Sequence, residues 1–331
     1  MQTGHGAEIL CFPTRRVPCI PEFTLELQIQ KMNPLRAFSA FAAATLFTVS
    51  SVPAALVGHF TFDNINNLGQ DTSGNGYNAT LSNPSGMAQV AGGKSGSAID
   101  FNAANSMLTW NNPSSFFNAL FAVGTYTFAV WVKTSDAVTS KGYAWDTGAI
   151  SILNADRPGE FADAVPLAIV QATNSTVGVP AVYVGPNLYQ ITANGTSGTG
   201  SNTQVNNNNW HHLVATRNAS TGQLQLFMDG VLAALSPTNN DPQVSPNVPP
   251  TGPEMGGIKL SLGAFREGSG NKFYTGLMDD FQAYNTVLTA SEIQYLYNNP
   301  GQTLASIPEP STVLLGLVGG AVLLCLRRRI S

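Results

Sequence analysis

The chain has 331 residues, a formal net charge of −4 and three cysteines, and only 10% of its residues are charged. Seven of its fifteen Lys and Arg residues lie in the two terminal segments, before residue 55 and after residue 310. Residues 55–310 hold 8 Lys+Arg against 16 Asp+Glu, a net of −8, which argues against a polyphosphate partner such as nucleic acid. Cys11, Cys19 and Cys325 all lie outside that body, so it can carry neither an internal disulfide nor a thiolate metal site.

Residues 1–31 show no clear period. An export signal begins inside the chain, at Met32. It has a basic start at Arg36, an apolar run from Ala37 to Val49, and a small-residue exit at Val52 and Ala54. Residues 32–54 therefore read as a signal peptide cut by signal peptidase after Ala54, and residues 1–31 as a misassigned start. The body that follows is long enough to bury a core without staples, as one large domain.

Strand signals dominate that body. "LVGHFTFD" alternates, with Phe60 and Phe62 on one face. "SGSAIDFN", "SMLTW", "TYTFAVWVK", "GAISIL", "PLAIVQA" and "WHHLVATRN" follow, separated by Gly, Asn, Ser and Pro clusters. "GQLQLFMDGVLAAL" reads as a hairpin, its Asp229-Gly230 suited to a type I′ turn. "GIKLSLGAF" and "GLMDDFQAYN" are two late strands. The Pro-rich segment 236–257 cannot join a central strand. One helix is expected, in "LTASEIQYLYNN", with Thr289 and Glu292 as a capping box and Ile293, Leu296 and Tyr297 as its apolar stripe. About a dozen strands and one short helix specify an all-β sandwich or jelly roll.

The C-terminal end carries a second address. Residues 302–310 form a linker ending in Pro308, Glu309 and Pro310. Residues 311–331 form a short apolar helix closed by Arg327, Arg328 and Arg329. Fourteen uncharged residues, Val313 to Leu326, span roughly 21 Å as a helix, less than the ~30 Å of a bilayer core. Pro-Glu-Pro, a short apolar helix and a terminal arginine cluster resemble the PEP-CTERM sorting signal. That resemblance implies a transient inner-membrane anchor in a Gram-negative bacterium, processed by an exosortase, with membrane contact only through this segment. An ordinary weak tail anchor is the alternative.

The body, residues 55–301, resembles the laminin-G-like members of the concanavalin A-like lectin/glucanase fold. The residues that carry the resemblance are "HFTFD" at 59–63, "DTSGNG" at 71–76, "SGSAIDF" at 95–101, "YTFAVWVK" at 126–133, "WHHLVATRN" at 210–218, "LQLFMDG" at 224–230 and "GLMDDFQAYNTVLTASEI" at 276–293. The fold class implied is an all-β jelly-roll sandwich between an N-terminal signal helix and a C-terminal sorting helix. Residues 138–208 fit less well and read as elaborated loops or extra strands.

Catalysis is not expected. Glucanases of this fold carry a Glu-x-Asp-x-x-Glu run on one strand, and none is present. The acidic cluster Asp156, Glu160 and Asp163 is broken by Pro158 and Gly159. His211 and His212 point to opposite faces of a strand, and no third ligand accompanies them. Calcium is the better chemistry. Period 2 puts Leu277, Asp279, Phe281 and Ala283 on one face. If that face is the core, Asp279 is an inward carboxylate that needs a partner. The resemblance implies a structural Ca²⁺ near the first and last strands, with Asp63, Asp279 or Asp280 and backbone carbonyls as ligands. Backbone N–H bonds to Asp279 are the alternative. "DTSGNG" reads as a turn on Gly74 and Gly76.

For ligand binding, Trp131 and Trp210 read as core. Tyr143, Trp145, Tyr183 and Tyr189, in the irregular segment, are the candidate stacking rings, with burial as the open alternative. The sequence thus describes an exported cell-surface or extracellular matrix protein that binds polysaccharide or a surface protein. The further alternatives are a structural or adhesive protein and a hydrolase.

Overall fold

The computed structural model describes residues 56–103, 106–110, 115–116, 119–120, 124–139, 148–156, 164–172, 177–184, 189–193, 204–236, 259–264 and 273–304. All of them belong to one compact unit, Pro53–Ser331. Ala54 and the sorting residues Pro308, Glu309, Pro310 and Arg327–Arg329 lie outside the described residues.

Fifteen strands are numbered in chain order: β1 Leu56–Phe60, β2 Thr80–Ser82, β3 Met87–Ala91, β4 Ser97–Phe101, β5 Met107–Thr109, β6 Tyr126–Lys133, β7 Ile150–Asp156, β8 Ala164–Gln171, β9 Gly178–Val184, β10 Tyr189–Thr192, β11 His211–Asn218, β12 Gln223–Met228, β13 Val231–Leu235, β14 Lys259–Leu262 and β15 Gly276–Tyr284. Helix α1 spans Ala290–Asn298. The strands form two antiparallel sheets. One runs β13-β12-β11-β6-β15-β4-β3, with β1 also paired to β15. The other runs β10-β9-β8-β7-β14-β5-β2. The first and last strands are thus neighbours. The segment 138–208 supplies β7 to β10, four adjacent strands of the second sheet rather than loops alone.

β6 shows why the sheets pack. Its run YTFAVWVK is apolar on both faces, as a strand buried on both sides requires. Tyr126, Phe128, Val130 and Val132 join the core between the sheets, while Ala129 joins a second cluster on the outer face. That outer cluster is the seat of α1. Ile293 and Leu296 pack there on Ala129, Val214, Phe227 and Tyr284. Burying each stabilises the fold by about 1.5–3 kcal/mol. The capping box is formed as expected: Thr289 Oγ1 accepts from Glu292 N, and Thr289 N donates to Glu292 Oε2. Asp229 and Gly230 have φ of 51° and 79°, the two left-handed positions of a type I′ turn. Residues 302–304, expected as the start of a linker, pack onto this face: Gln302 O accepts from Gln282 Nε2, and Leu304 is buried.

β15 corrects the period-2 reading. Its first residues pair with β4 and its later ones with β1, and the ladder to β6 shifts between Asp279 and Gln282. Asp280, at φ 50°, takes up the extra residue as a bulge. Met278, Phe281 and Ala283 therefore face the inter-sheet core. Asp279 does not share that face. It is buried instead on the outer side.

Candidate functional site

A cleft of about 430 Å³ opens where β6 leaves its sheet. Asp100, Asn102, Lys133, Ser135, Asp136 and Asn208 line it, with Thr134, Thr275 and Gly276 beneath. A second cavity of about 460 Å³ shares Asp136 and continues past Thr139, Gly148, Ile150 and Phe273. The pair runs across one end of the sandwich, from β4 and β15 of one sheet to the start of β7 in the other.

The sequence builds this end from the "KTSDAV" run that follows the apolar stretch of β6. Thr134 Oγ1 accepts from Asp136 N at 3.0 Å and donates to Thr275 O at 2.7 Å. Asp136 Oδ2 accepts from Thr275 N at 3.1 Å and also from Thr275 Oγ1. Asp136 O accepts from Asn206 Nδ2 at 3.0 Å. Asn208 N donates to Thr134 O at 2.9 Å, with Asn208 in the left-handed region. Gly276 has φ 132°, and a Cβ there would lie 2.4 Å from Lys133 O, so glycine is required. Lys133 N donates to Tyr274 Oη, which donates to Leu277 O. The floor is a closed hydrogen-bond network. The rim residues Asn102, Ser135 and Asn208 are exposed. Burial raises the Asp100 carboxyl above its ordinary value. Carboxylate acceptors stand beside amide, hydroxyl and ammonium donors. Such a mixture suits a neutral, polyhydroxylated ligand, whose hydroxyls both give and accept hydrogen bonds.

A second polar cluster lies on the outer face of the α1-bearing sheet. Across β11, β6 and β15, His212, Trp131 and Asp279 are direct cross-strand neighbours. Lys94 Nζ sits 4.1 Å from the Trp131 ring centroid, and Tyr297 of α1 stacks on the same ring at 5.5 Å. Trp131 is buried as expected, but under α1 rather than between the sheets. Trp210 is half-buried. His212 Nδ1, Trp131 Nε1 and Asp279 Oδ1 are buried without hydrogen-bond partners. Burial lowers the His212 imidazole to about 4. It raises the Asp279 carboxyl to about 7, opposed by the bond from Ser95 N to Oδ2.

The expected calcium ligands do not converge into one set. Asp280 Oδ1 is held by His59 Nε2 at 2.7 Å and Gln282 Nε2 at 2.8 Å, and its Oδ2 by Gly301 N at 2.7 Å. Asp63 is exposed, and its Oδ1 accepts from Ser97 N. Asp279 Oδ1 is the open carboxylate oxygen. Among the described residues no group of three or more His, Cys, Asp or Glu is placed to hold a metal. "DTSGNG" is a turn hung on Asp71, whose carboxylate accepts from His59 N, Ser73 N and Tyr77 N. His211 is spent on Asp229 and Asn207.

Of the candidate rings, Tyr143 and Trp145 lie outside the described residues, as do Glu160 and Asp163. Tyr183 and Tyr189 lie on β9 and β10, where Tyr183 pairs with Gln190 and Tyr189 with Val184. The cleft residues Asp100, Lys133, Asp136 and Asn208 were not expected from the sequence. The one local signal is the abrupt polar turn of "KTSD" after seven buried positions of β6.

Two antiparallel sheets packed face to face, with a polar cleft at one end, define a lectin-like β-sandwich. Residues 102–294, more than half of the chain, match the family model of the Concanavalin A-like lectin/glucanases superfamily (Laminin_G_3), and the chain belongs to that family. No match was found among the curated proteins. Among solved structures, the chain is similar to domain 4 of AbnA, a GH43 extracellular arabinanase from Geobacillus stearothermophilus, in complex with arabinotriose. That similarity has 20% identity and a TM-score of 0.49, over 74% of this chain and 99% of that one. It is similar to the binding domain of Paraclostridial Mosquitocidal Protein 1, with 20% identity and a TM-score of 0.49, over 74% of this chain and 52% of that one. It is also similar to the binding domain of botulinum neurotoxin serotype G, with 14% identity and a TM-score of 0.46, over 73% and 50%. The chain spans about half the length of the two toxin domains. These are likenesses of fold.

Proposed function

We propose that this is an exported surface or extracellular matrix protein whose sandwich binds carbohydrate without cleaving it. The observation that carries the reading is the cleft at Asp136, where mixed donors and acceptors stand on a rigid hydrogen-bonded floor. Membership of a lectin/glucanase family supports it. So does the net charge of −8 on residues 55–310, which favours a neutral or weakly charged polymer over a polyanion. Tyr143 and Trp145 follow Thr139 and precede Gly148, two residues that line the second cavity, so a few residues of chain separate them from it. Export by the signal ending at Ala54, and exosortase processing at Pro308–Pro310, belong to the same reading. Mass spectrometry of the mature protein tests that part: a product still carrying Arg327–Arg329 would make the segment a permanent anchor.

A glycan array with and without calcium tests the binding claim. Saturable retention of a polysaccharide is expected, and an array blank for every glycan would leave a protein partner as the reading. Hydrolysis is the second reading, because Asp100 and Asp136 line one cleft and burial raises Asp100, as a general acid requires. Against it stand the two hydrogen bonds from Thr275 N and Oγ1 that commit Asp136 Oδ2 to the fold. Reducing-end release from a retained polysaccharide, abolished by Asp100→Asn, would establish it.

A further inference from the structure

His211 opens β11 beside the cleft. It pairs with Val132, the neighbour of the cleft residue Lys133, and the turn just before it carries Asn208 on the rim. That turn is tied to both sheets. Asn206 Nδ2 donates to Asp136 O at 3.0 Å, Asn206 Oδ1 accepts from Gly178 N at 2.8 Å, and Asn208 N donates to Thr134 O at 2.9 Å. Asn208 has a φ of 62°, a left-handed conformation that a residue other than glycine keeps only where its surroundings fix it.

Both nitrogens of the His211 ring meet oxygen acceptors. Nδ1 lies 2.9 Å from Asp229 Oδ2, and Nε2 lies 3.0 Å from Asn207 Oδ1. The Asn207 amide cannot be turned round, because its Oδ1 also accepts from Asn209 N at 2.9 Å. Asp229 uses its other oxygen as an acceptor too, for His212 N at 2.8 Å. An imidazole is more basic than a carboxyl, so a proton shared between the two lies on nitrogen. A neutral ring has one N–H and one lone pair, and it would set that lone pair against one of the two oxygens. The contacts therefore call for the doubly protonated ring. Its counter-charge is Asp229, on the turn between β12 and β13. β6 sets the apolar Val132 opposite His211, with the charge of Lys133 one position on. The 204–209 turn brings amides and no charge. His212, next on β11, lies on the other face.

We propose that His211 is a positioning residue of the carbohydrate cleft: as an imidazolium it pins the turn that carries Asn208 to the turn that carries Asp229, and so makes ligand retention depend on pH. The inference rests on the reading of the cleft as the carbohydrate site. His211 acts through Asn207 and the turn, not by touching the ligand. Loss of one ring proton breaks the bond to Asn207. Retention therefore weakens as pH rises through the range in which imidazoles lose that proton, about pH 5 to 8.

Two measurements on the full exported chain test this. The first is amide hydrogen exchange by NMR, near the acid end of that range. The Asn208 and Asn209 N–H groups should exchange about tenfold faster or more in His211→Gln than in wild type, the scale of one hydrogen bond to a charged group. The second is retardation in gels loaded with dextran, xylan or arabinan, run at several pH values. Wild-type retardation should fall as pH rises, while His211→Gln and Asn207→Ala should be weakly retarded throughout and show no such fall. Parallel pH profiles, or unchanged exchange in His211→Gln, would overturn the role of His211 and leave the cleft reading standing. Wild type unretarded on all three gels at every pH would overturn the cleft reading and this inference with it. Should His211→Gln not fold, Asn207→Ala, which changes an exposed side chain, decides in its place by the same two measurements.

Discussion

Thr275 donates twice to Asp136, from its backbone N at 3.1 Å and from its Oγ1, both to Oδ2. The two bonds tie the residue before β15 to the turn after β6, and the cleft floor is what they hold. Thr275→Val keeps the shape and the N–H but removes the hydroxyl. A hydrogen bond to a charged group contributes about 1.5–3 kcal/mol. The melting temperature should therefore fall by several degrees. Calorimetry checks it, and an unchanged value would mean that the clamp contributes nothing.

Much of this fold is legible in the sequence, because each legible element is set by local chemistry. The apolar run of β6, the Asp229-Gly230 turn and the Thr289–Glu292 box are each fixed within a few residues. The bulge at Asp280 is not. It arises where β15 changes partner from β4 to β1, and alternation along one strand carries no record of its neighbours. The cleft was illegible for the same reason. Asp100, Lys133, Asp136, Asn208 and Thr275 come from distant parts of the chain, and only the packing of the two sheets assembles them.

In sequence, Tyr143 and Trp145 lie between Thr139 and Gly148, which line the second cavity beside the cleft. The double change Tyr143→Ala and Trp145→Ala should weaken polysaccharide retention by about tenfold or more, at roughly 1 kcal/mol per stacked ring. The melting temperature should hardly move. A loss of several kcal/mol in stability would instead make the rings core residues.

The row of His212, Trp131 and Asp279 predicts two opposed pH dependences, best measured in chelator-treated protein. Asp279 is raised to about 7, while an unfolded Asp titrates near 3.9. Between those values the folded state holds the extra proton, so this group makes stability fall as pH rises. His212 is lowered to about 4, against about 6.5 unfolded. There the unfolded state holds the extra proton, so stability falls as pH falls. Each slope is limited to about 1.4 kcal/mol per pH unit, and the two offset each other between pH 4 and 6.5. Relative to wild type, His212→Phe should lose stability as pH rises through that window, and Asp279→Asn should lose it as pH falls. Denaturant titrations at several pH values check both signs.

Asp280 is committed to His59, Gln282 and Gly301, so a calcium ion at this face would have Asp279 Oδ1 as its carboxylate ligand. At a hundredfold excess over Kd, binding would stabilise by about 2.7 kcal/mol. EGTA should then lower the melting temperature by several degrees in wild type and not in Asp279→Asn. Equal melting with and without EGTA, and no metal by elemental analysis, would contradict it.

Affinity electrophoresis through polysaccharide-loaded gels reads whether the cleft beside Asp136 holds carbohydrate. Asn102, just past the end of β4, and Lys133, the last residue of β6, line that cleft. Among the described residues both are held through their backbone: Asn102 N donates to Gly86 O and Lys133 N to Tyr274 Oη. The double variant Asn102→Ala, Lys133→Ala should keep its melting temperature within about a degree or two and lose the retardation that wild type shows. Retardation equal to wild type in the folded double variant would place the ligand elsewhere and rule out the cleft as the carbohydrate site.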